Sequence, residues 1–570
     1  MKTIKSCLKL TMASMLLLPV IHVKADSTSF PKPLMPTNHL ENSPACQAFK
    51  AFATEQKVDP KYPSYKYKNL APLKTDGLVV IKDGKLVYEW YDGVVQPQSP
   101  HVQWSATKMI TATLLARAIQ EGVTYQGEKV SLKTPLKTFF PEPGLLKINP
   151  ADKDKYEKIT LENLVEMSAN FNWNETYGSG AKGSTFIPML YMQGQKNMAD
   201  YALKAPMNPE GPGNRWVYSG GNMVILMAVL KKIYGDDYAQ MPQKLLAEPL
   251  GLENFKIETD ASGTFVGSSY AYMTLKDMAK IGQLYLQNGK WKNQNNIEQE
   301  LLPQSWVKEA SEEVSPAVFN ENTSLPYIKD LGAPSRRIFW LNKDIYREDG
   351  LVLDKSNGKK ILYPREMPQA PSDMYFAAGH YGQLIIIIPS QNLVIARTGY
   401  DEDYWDHVQP LAVKALSCLN PDYKPDPVKS LLPPRAGEKP SWFESSLVGR
   451  IGNTVGQLVD KSPDLAFVYD MGIAGSKVSK EMCSFLFTMQ AAKVLPGDQL
   501  ISSYKDRTGL DSTLQFLLFQ GWTFSVDVKN QRVLAQEFVR SNNKNSSKQN
   551  RFFAATYSDE HPGCRWEQLK

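Results

Sequence analysis

The sequence predicts an α+β protein in which one antiparallel sheet is assembled from both ends of a long segment. Three observations carry this. A β-hairpin pattern sits near residue 80, a mostly helical pattern runs from about 130 to 300, and strand-like runs return between 376 and 399.

The hairpin is Gly77 to Tyr91, two apolar runs either side of Asp83-Gly84, a dipeptide suited to a tight turn. A helix is expected from Ser105 to Glu121, stopped by Gly122. Its apolar residues (Met109, Ile110, Leu114, Leu115, Ala118, Ile119) cover most of its surface, which predicts a buried central helix. The helical middle is broken by polar loops, among them 169–183 and 205–214. Phe376 to Pro389 and Leu393 to Gly399 read as two strands, and Tyr404 to Leu419 as a closing amphipathic helix. Residues 421–440 carry six prolines and read as a semi-rigid linker. Beyond it Ala466 to Tyr469, Phe524 to Val528 and Arg532 to Val539 are strand-like, with Asn530-Gln531 as a turn, and 541–551 is a polar loop. A chain of 570 residues exceeds one compact core. The expected organisation is a segment 1–25 to be removed, a main domain over 26–420, the linker, and a small α+β domain over 441–570.

The removable segment has the build of a signal peptide. Lys2, Lys5 and Lys9 precede the apolar stretch Leu10 to Val23, and Val23-Lys24-Ala25 offers small residues for cleavage before Asp26. Pro19 interrupts a stretch already short for a membrane span, so no stable span is expected once it is cleaved. Cys7 lies too early to carry a lipid. A periplasmic or secreted location follows. Without this segment's four lysines the net charge falls from +6 to about +2, too weak to imply nucleic acid or anionic lipid. Four cysteines then remain: Cys46, Cys418, Cys483 and Cys564. In an oxidising compartment they favour disulfides, with three pairings open. No CxxC or HxxxH spacing supports a metal site, and no cofactor is expected.

Chemistry is suggested by Ser105-Ala-Thr-Lys108. A serine and a lysine three residues apart on a helix share one face, so the amine can take the hydroxyl proton where burial keeps it neutral. The spacing alone says little, since Ser305/Lys308, Ser356/Lys359 and Ser502/Lys505, among others, share it, and Ser305 and Ser356 sit among charged and polar neighbours. Only Ser105 opens a helix that is apolar nearly all round, where burying a lysine costs several kcal/mol. No Gly-x-Ser-x-Gly elbow is present, which disfavours a Ser-His-Asp triad.

Trp104-Ser-Ala-Thr-Lys-Met109 resembles the active-site motif of the penicillin-recognising serine hydrolases: class C β-lactamases, DD-peptidases, and the esterases and 6-aminohexanoate-oligomer hydrolases of the same fold. Further segments resemble that family in order: Ile159 to Ser168, Trp216-Val-Tyr-Ser-Gly-Gly-Asn222, Glu248-Pro-Leu-Gly251, and Gly379-His-Tyr-Gly-Gln383. The likeness covers about residues 45–420. It implies a β-lactamase/transpeptidase-like domain, an antiparallel sheet plus a helical subdomain. It implies Ser105 as nucleophile, Lys108 as its activator, and Tyr218 as a phenol(ate) shuttling protons. The backbone N–H groups of Ser105 and Gln383 would form the oxyanion hole, with Gly382 allowing substrate to approach. Two positions depart from the pattern. Gly220 stands where many members have Asn, and Asn222 is the expected substrate or lysine partner instead. His380 stands where β-lactamases and DD-peptidases usually carry Lys; losing that permanent charge points toward the esterase and amidase branch.

In the loop after Ala169, Trp173 and Tyr177 are candidate substrate contacts, or else pin the loop. Lys480 to Phe487 and Ala554 to Cys564 loosely resemble an accessory region that precedes the catalytic domain in some relatives. With that likeness goes the expectation that Cys483 pairs with Cys564, and that Cys46 and Cys418 join the two ends of the main domain.

The reading is an exported hydrolase of amide or ester bonds in a small molecule, peptide or oligoamide. One alternative is a β-lactamase or DD-peptidase, and another is an inactive relative that binds cell-wall material. Oligomeric state is not legible.

Overall fold

The computed structural model describes residues 40, 42–54, 74–175, 184–293, 295–319, 333–343, 345–346, 362–363, 365, 367–401, 404–425, 477–507, 522–537, 552–558 and 563–569. The expected signal segment, most of the linker, Tyr177, the strand at 466–469 and the polar loop at 541–551 lie outside these residues.

Seven strands form the central sheet: β1 (Thr75–Lys82), β2 (Lys85–Tyr91), β3 (Ala333–Pro334), β4 (Trp340–Leu341), β5 (Tyr375–Gly379), β6 (Gln383–Ile388) and β7 (Leu393–Gly399). Their order is β3-β4-β5-β6-β7-β1-β2, with every neighbouring pair antiparallel. The sheet is thus built from both ends of the main domain, as the hydrophobic pattern predicts. One strand call is corrected. The run 376–389 is not a single strand but breaks into β5 and β6, because Tyr381 (φ 64°) and Gly382 (φ 86°) turn the chain back on itself. Apolar side chains on both sides of that turn hide it from a periodicity reading.

Helix α1 (Pro44–Thr54) precedes the sheet and packs against α5 (Tyr404–Leu419), which follows it. Cys46 and Cys418 join the two in a disulfide. Between the sheet's two halves lies the helical lobe, centred on α2 (Thr107–Gln120) and α3 (Gly220–Tyr234). Twelve of the fourteen residues of α2 are buried, so this helix has no solvent face and its stability comes from packing on all sides. Ser219 caps α3, its hydroxyl accepting the Asn222 N–H at 3.2 Å. Helix α4 (Leu275–Leu286), capped by Thr274, lies on β1, β6 and β7.

The C-terminal module is a four-stranded antiparallel sheet, β8 (Trp522–Asp527), β9 (Arg532–Glu537), β10 (Phe552–Ser558) and β11 (Gly563–Leu569), with a helical segment at 477–488. Cys483 in that segment is bonded to Cys564 in β11. Strands β10 and β11 are additions to the strands read from the sequence. Neither alternates polar and apolar residues cleanly: the first reads Phe-Phe-Ala-Ala-Thr-Tyr-Ser and the second Gly-Cys-Arg-Trp-Glu-Gln-Leu.

The module is docked, not tethered. Lys480 Nζ lies 2.5 Å from Glu258 Oε1 of the helical lobe, and Tyr272 donates to Ser484 Oγ at 3.1 Å. Among the described residues no helix is long and apolar enough to cross a membrane.

Candidate active site

The nucleophile turn comes first. Trp104 to Ala106 form one 3-10 turn leading into α2, with Trp104 in the left-handed region at φ 44°. Bulky residues occupy that region only when their surroundings over-determine it. Here the surroundings are aromatic. The Trp104 ring meets Tyr270 at 5.7 Å, His380 at 5.6 Å and Tyr381 at 6.2 Å between centroids. The end of β5 presses on the same turn: a Cβ on Gly379 would collide with the carbonyl oxygen of Gln103, so only glycine fits there. Ser105 is thereby set beside the 379–383 hairpin. Within that hairpin the Gln383 side chain donates to the carbonyls of His380 (3.0 Å) and Gly399 (2.8 Å), and buried Arg397 donates to the carbonyl of Gly382 (2.9 Å).

Lys108 lies one turn further along α2 and is fully buried. Its Nζ is 3.1 Å from Ser105 Oγ and 3.1 Å from the carbonyl oxygen of Ser268. The strip 267–271 is laced along α2 by Thr111, which donates to the Gly267 carbonyl, and Thr107, which accepts the Ala271 N–H. That lacing fixes the Ser268 carbonyl. Tyr218, on the segment entering α3, is 110 residues away in sequence. Lys108 Nζ lies 4.8 Å from its ring centroid and interacts with its hydroxyl. Trp216 and Trp340 each approach the Tyr218 ring at 6.0 Å and hold it. Serine, lysine and tyrosine therefore converge, with Ser105, Tyr218 and His380 partly exposed above the buried amine.

The sequence reading missed a fourth member. Glu175, 5% exposed, places Oε1 3.0 Å from Lys108 Nζ. Burial pushes the Lys108 ammonium toward losing its proton. The Glu175 carboxylate, and after it Tyr218, outweigh that, and the net shift is upward. Lys108 is thus held as a cation, contrary to the expectation that burial keeps it neutral. A lone glutamate in a polar loop gives no sequence signal for this. The nearest one is the pair Gly220-Gly221, whose missing side chains make the room.

One expectation is corrected and one open alternative is decided. Asn222 does not bond Lys108: its Nδ2 donates to the Leu164 carbonyl at 3.3 Å, because the first turn of α3 points it at the helix 161–165. Trp173 is buried and donates to Glu175 Oε2 at 2.6 Å, so it pins the loop instead of facing a substrate. The described pair Ser305 and Lys308 has no such setting. Ser305 and Lys308 lie on an amphipathic helix, Gln304–Ser311, with the lysine in solvent. Among the described residues no cluster of His, Cys, Asp or Glu could hold a metal ion.

The profile of a family described as Beta-lactamase matches residues 71–399, more than half of the chain. The chain belongs to the β-lactamase family. It is 19% identical over 222 residues to a 6-aminohexanoate-dimer hydrolase of Paenarthrobacter ureafaciens. That match takes in 38% of this chain and 53% of the relative, so it spans about half the relative's length. A solved structure described as a 6-aminohexanoate-dimer hydrolase from Bacillus anthracis shares 18% identity at a TM-score of 0.44, covering 67% of this chain and 96% of that one. A family VIII carboxylesterase shares 13% identity at a TM-score of 0.42, covering 66% and 96%.

Proposed function

We propose that this β-lactamase-family hydrolase is an exported serine amidase or esterase that works through an acyl-enzyme on Ser105. One observation carries the reading: a fully buried lysine, 3.1 Å from a partly exposed serine hydroxyl, shares its surroundings with a tyrosine brought from 110 residues away. Burying an ammonium group is costly, and a chain that only packed would place an apolar residue there. The same cost argues against a silent binder of cell-wall material.

In the proposed reaction Ser105 Oγ attacks the substrate carbonyl while its proton passes to the oxygen of Tyr218, which acts as the phenolate and becomes the neutral phenol. Lys108, already a cation, stays charged and supports the negative charge that moves through the site. Backbone N–H groups of Ser105 and Gln383 receive the oxyanion, and Gly382 leaves space for the acyl group. Tyr218 then hands the proton to the leaving amine or alcohol. Water enters by the reverse path and releases the acid. Substrate is expected to meet His380 beside Trp104. A histidine there, without a permanent charge, favours esters and amides over β-lactams and DD-peptides. The name of the Paenarthrobacter relative makes linear oligoamides one class to test.

Export is part of the proposal. It is supported by the basic, then apolar, start of the sequence and by the two disulfides, which persist in oxidising compartments.

A panel of p-nitrophenyl esters, 6-aminohexanoate oligomers, D-amino acid amides and nitrocefin tests the reading. Turnover of esters or oligoamides that vanishes in Ser105→Ala is expected. Fast nitrocefin turnover with no esterase or amidase activity would reverse the assignment of the substrate class.

A further inference from the structure

Glu175 is built into the site more firmly than a loop residue needs to be. While Oε1 faces Lys108, Oε2 accepts the indole N–H of Trp173 at 2.6 Å and the backbone N–H of Gly220 at 2.7 Å. The start of α3 is shaped around it. A Cβ at residue 220 would lie 2.8 Å from Glu175 Oε1 and 2.5 Å from the Phe186 ring, and one at residue 221 would lie 2.8 Å from the Trp173 ring. Two consecutive glycines in the first turn of a buried helix cost helix stability, and here they admit a carboxylate and the indole that orients it. The carboxylate also sits at the N-terminus of α3, where the helix dipole favours an anion.

From these contacts we infer that Glu175 is a positioning residue of the reaction, holding Lys108 in place and as the cation between Ser105 and Tyr218. Around the amine, the 3-10 turn before α2 contributes the Ser105 hydroxyl, the strip 267–271 the Ser268 carbonyl, the entry to α3 the Tyr218 phenol, and the segment at 186 an uncharged ring at 5.4 Å. Glu175 supplies the negative charge, and its effect on Lys108 runs in the direction the geometry requires. Remove that charge and only burial and Tyr218 remain, so the ammonium gives up its proton at lower pH. The proposal rests on the reading of Ser105 as the nucleophile and adds the group that sets the ionisation of its neighbour.

The test needs no known substrate. A fluorophosphonate probe reacts at an activated serine: the Oγ–P bond forms, the P–F bond breaks, fluoride leaves, and the hydroxyl proton goes to the base. Its second-order labelling rate is measured across pH on the full chain, and the labelled peptide is located by mass spectrometry. Glu175→Gln keeps an acceptor oxygen for Trp173 and Gly220 but loses the charge; Glu175→Asp keeps the charge. The glutamine variant is expected to label roughly 10- to 100-fold more slowly at neutral pH, with its alkaline limb at least about one pH unit lower. The aspartate variant is expected to recover most of the rate and the wild-type limb. A Glu175→Gln profile with the wild-type limb would overturn the proposal, whatever its rate, since a structural role alone leaves the limb unmoved. Should that variant fail to fold, Gly220→Ala displaces the carboxylate without removing it, and the same downward shift is expected; an unmoved limb there is equally fatal. Wild-type labelling at a residue other than Ser105 would instead sink the nucleophile assignment, and this inference with it.

Discussion

Lys480 Nζ and Glu258 Oε1 form an ion pair, 2.5 Å apart, with both side chains buried between the C-terminal module and the helical lobe. Glu258 lies on the same strand-and-turn segment, 256–273, that delivers the Ser268 carbonyl to Lys108 and packs Tyr270 against Trp104. Lys480 also sits 4.4 Å from the Tyr270 ring centroid. The module thus braces the back of the nucleophile turn.

Breaking that pair from one side should be costly. Lys480→Met strands a buried carboxylate and is expected to destabilise the protein by about 3–5 kcal/mol. Adding Glu258→Gln should restore much of the loss, since replacing both charges removes the uncompensated one. Thermal or urea unfolding of the two single variants and the double variant checks this. Additive losses would show that the pair does not couple.

The disulfide between Cys46 and Cys418 ties α1 to α5 across 372 residues of chain. Closing so long a loop removes much of the freedom of the unfolded chain, and Cys46→Ser is expected to cost about 2–4 kcal/mol. Peptide mapping without reductant should find Cys46 linked to Cys418 and Cys483 to Cys564. Any exchange of partners contradicts the structure.

How much of this was legible in the sequence depends on whether the signal was local. Ser105 and Lys108 share one helical turn, and the buried helix around them shows in the apolar run. Tyr218 and the 379–383 segment are distant, and only the ordered family motifs brought them together. Glu175 could not be read. Its partners Lys108 and Gly220 lie 67 and 45 residues away, and nothing near it in the chain marks it as buried. Asn222 failed for a related reason: its position relative to Tyr218 matches a pattern, but the helix turns it toward Leu164. The 376–389 run was misjudged because its turn is carried by a tyrosine and a single glycine between apolar strands.

A methyl group at Gly379 has nowhere to go. It meets the Gln103 carbonyl, which is backbone and cannot swing aside, and the nearest side-chain atom is Trp104 Cβ at 3.1 Å. Gly379→Ala should therefore shift the Trp104–Ser105 turn and lower kcat/KM by roughly 100-fold while leaving most of the fold intact. Steady-state kinetics beside a near-UV dichroism spectrum separates the two effects. Wild-type kinetics would mean that the turn has slack the geometry does not show.

His380→Lys places a permanent cation beside Trp104 at the mouth of the site. Nitrocefin carries a carboxylate, so its kcat/KM is expected to rise, by about tenfold, while neutral ester substrates gain nothing. A parallel rise for neutral esters would mean that the charge at this position does not select substrates.

Holding Lys108 as a cation has a consequence for stability. Its proton is bound more tightly in the fold than in the unfolded chain, where the ordinary value is 10.5. The stabilisation is therefore complete below that pH and is lost as pH rises past the elevated folded value. Unfolding measured between pH 8 and 12 should show Lys108→Met with a shallower alkaline decline than wild type. An identical decline would place the proton elsewhere.

The most direct measurement is the site of covalent capture. Treated with a fluorophosphonate and digested, the full chain should yield a single modified peptide, carrying the label on Ser105. The label should be absent in Lys108→Ala and much slower to form in Tyr218→Phe. Modification of another serine, or an unchanged labelling rate after loss of the Lys108 amine, would contradict the account.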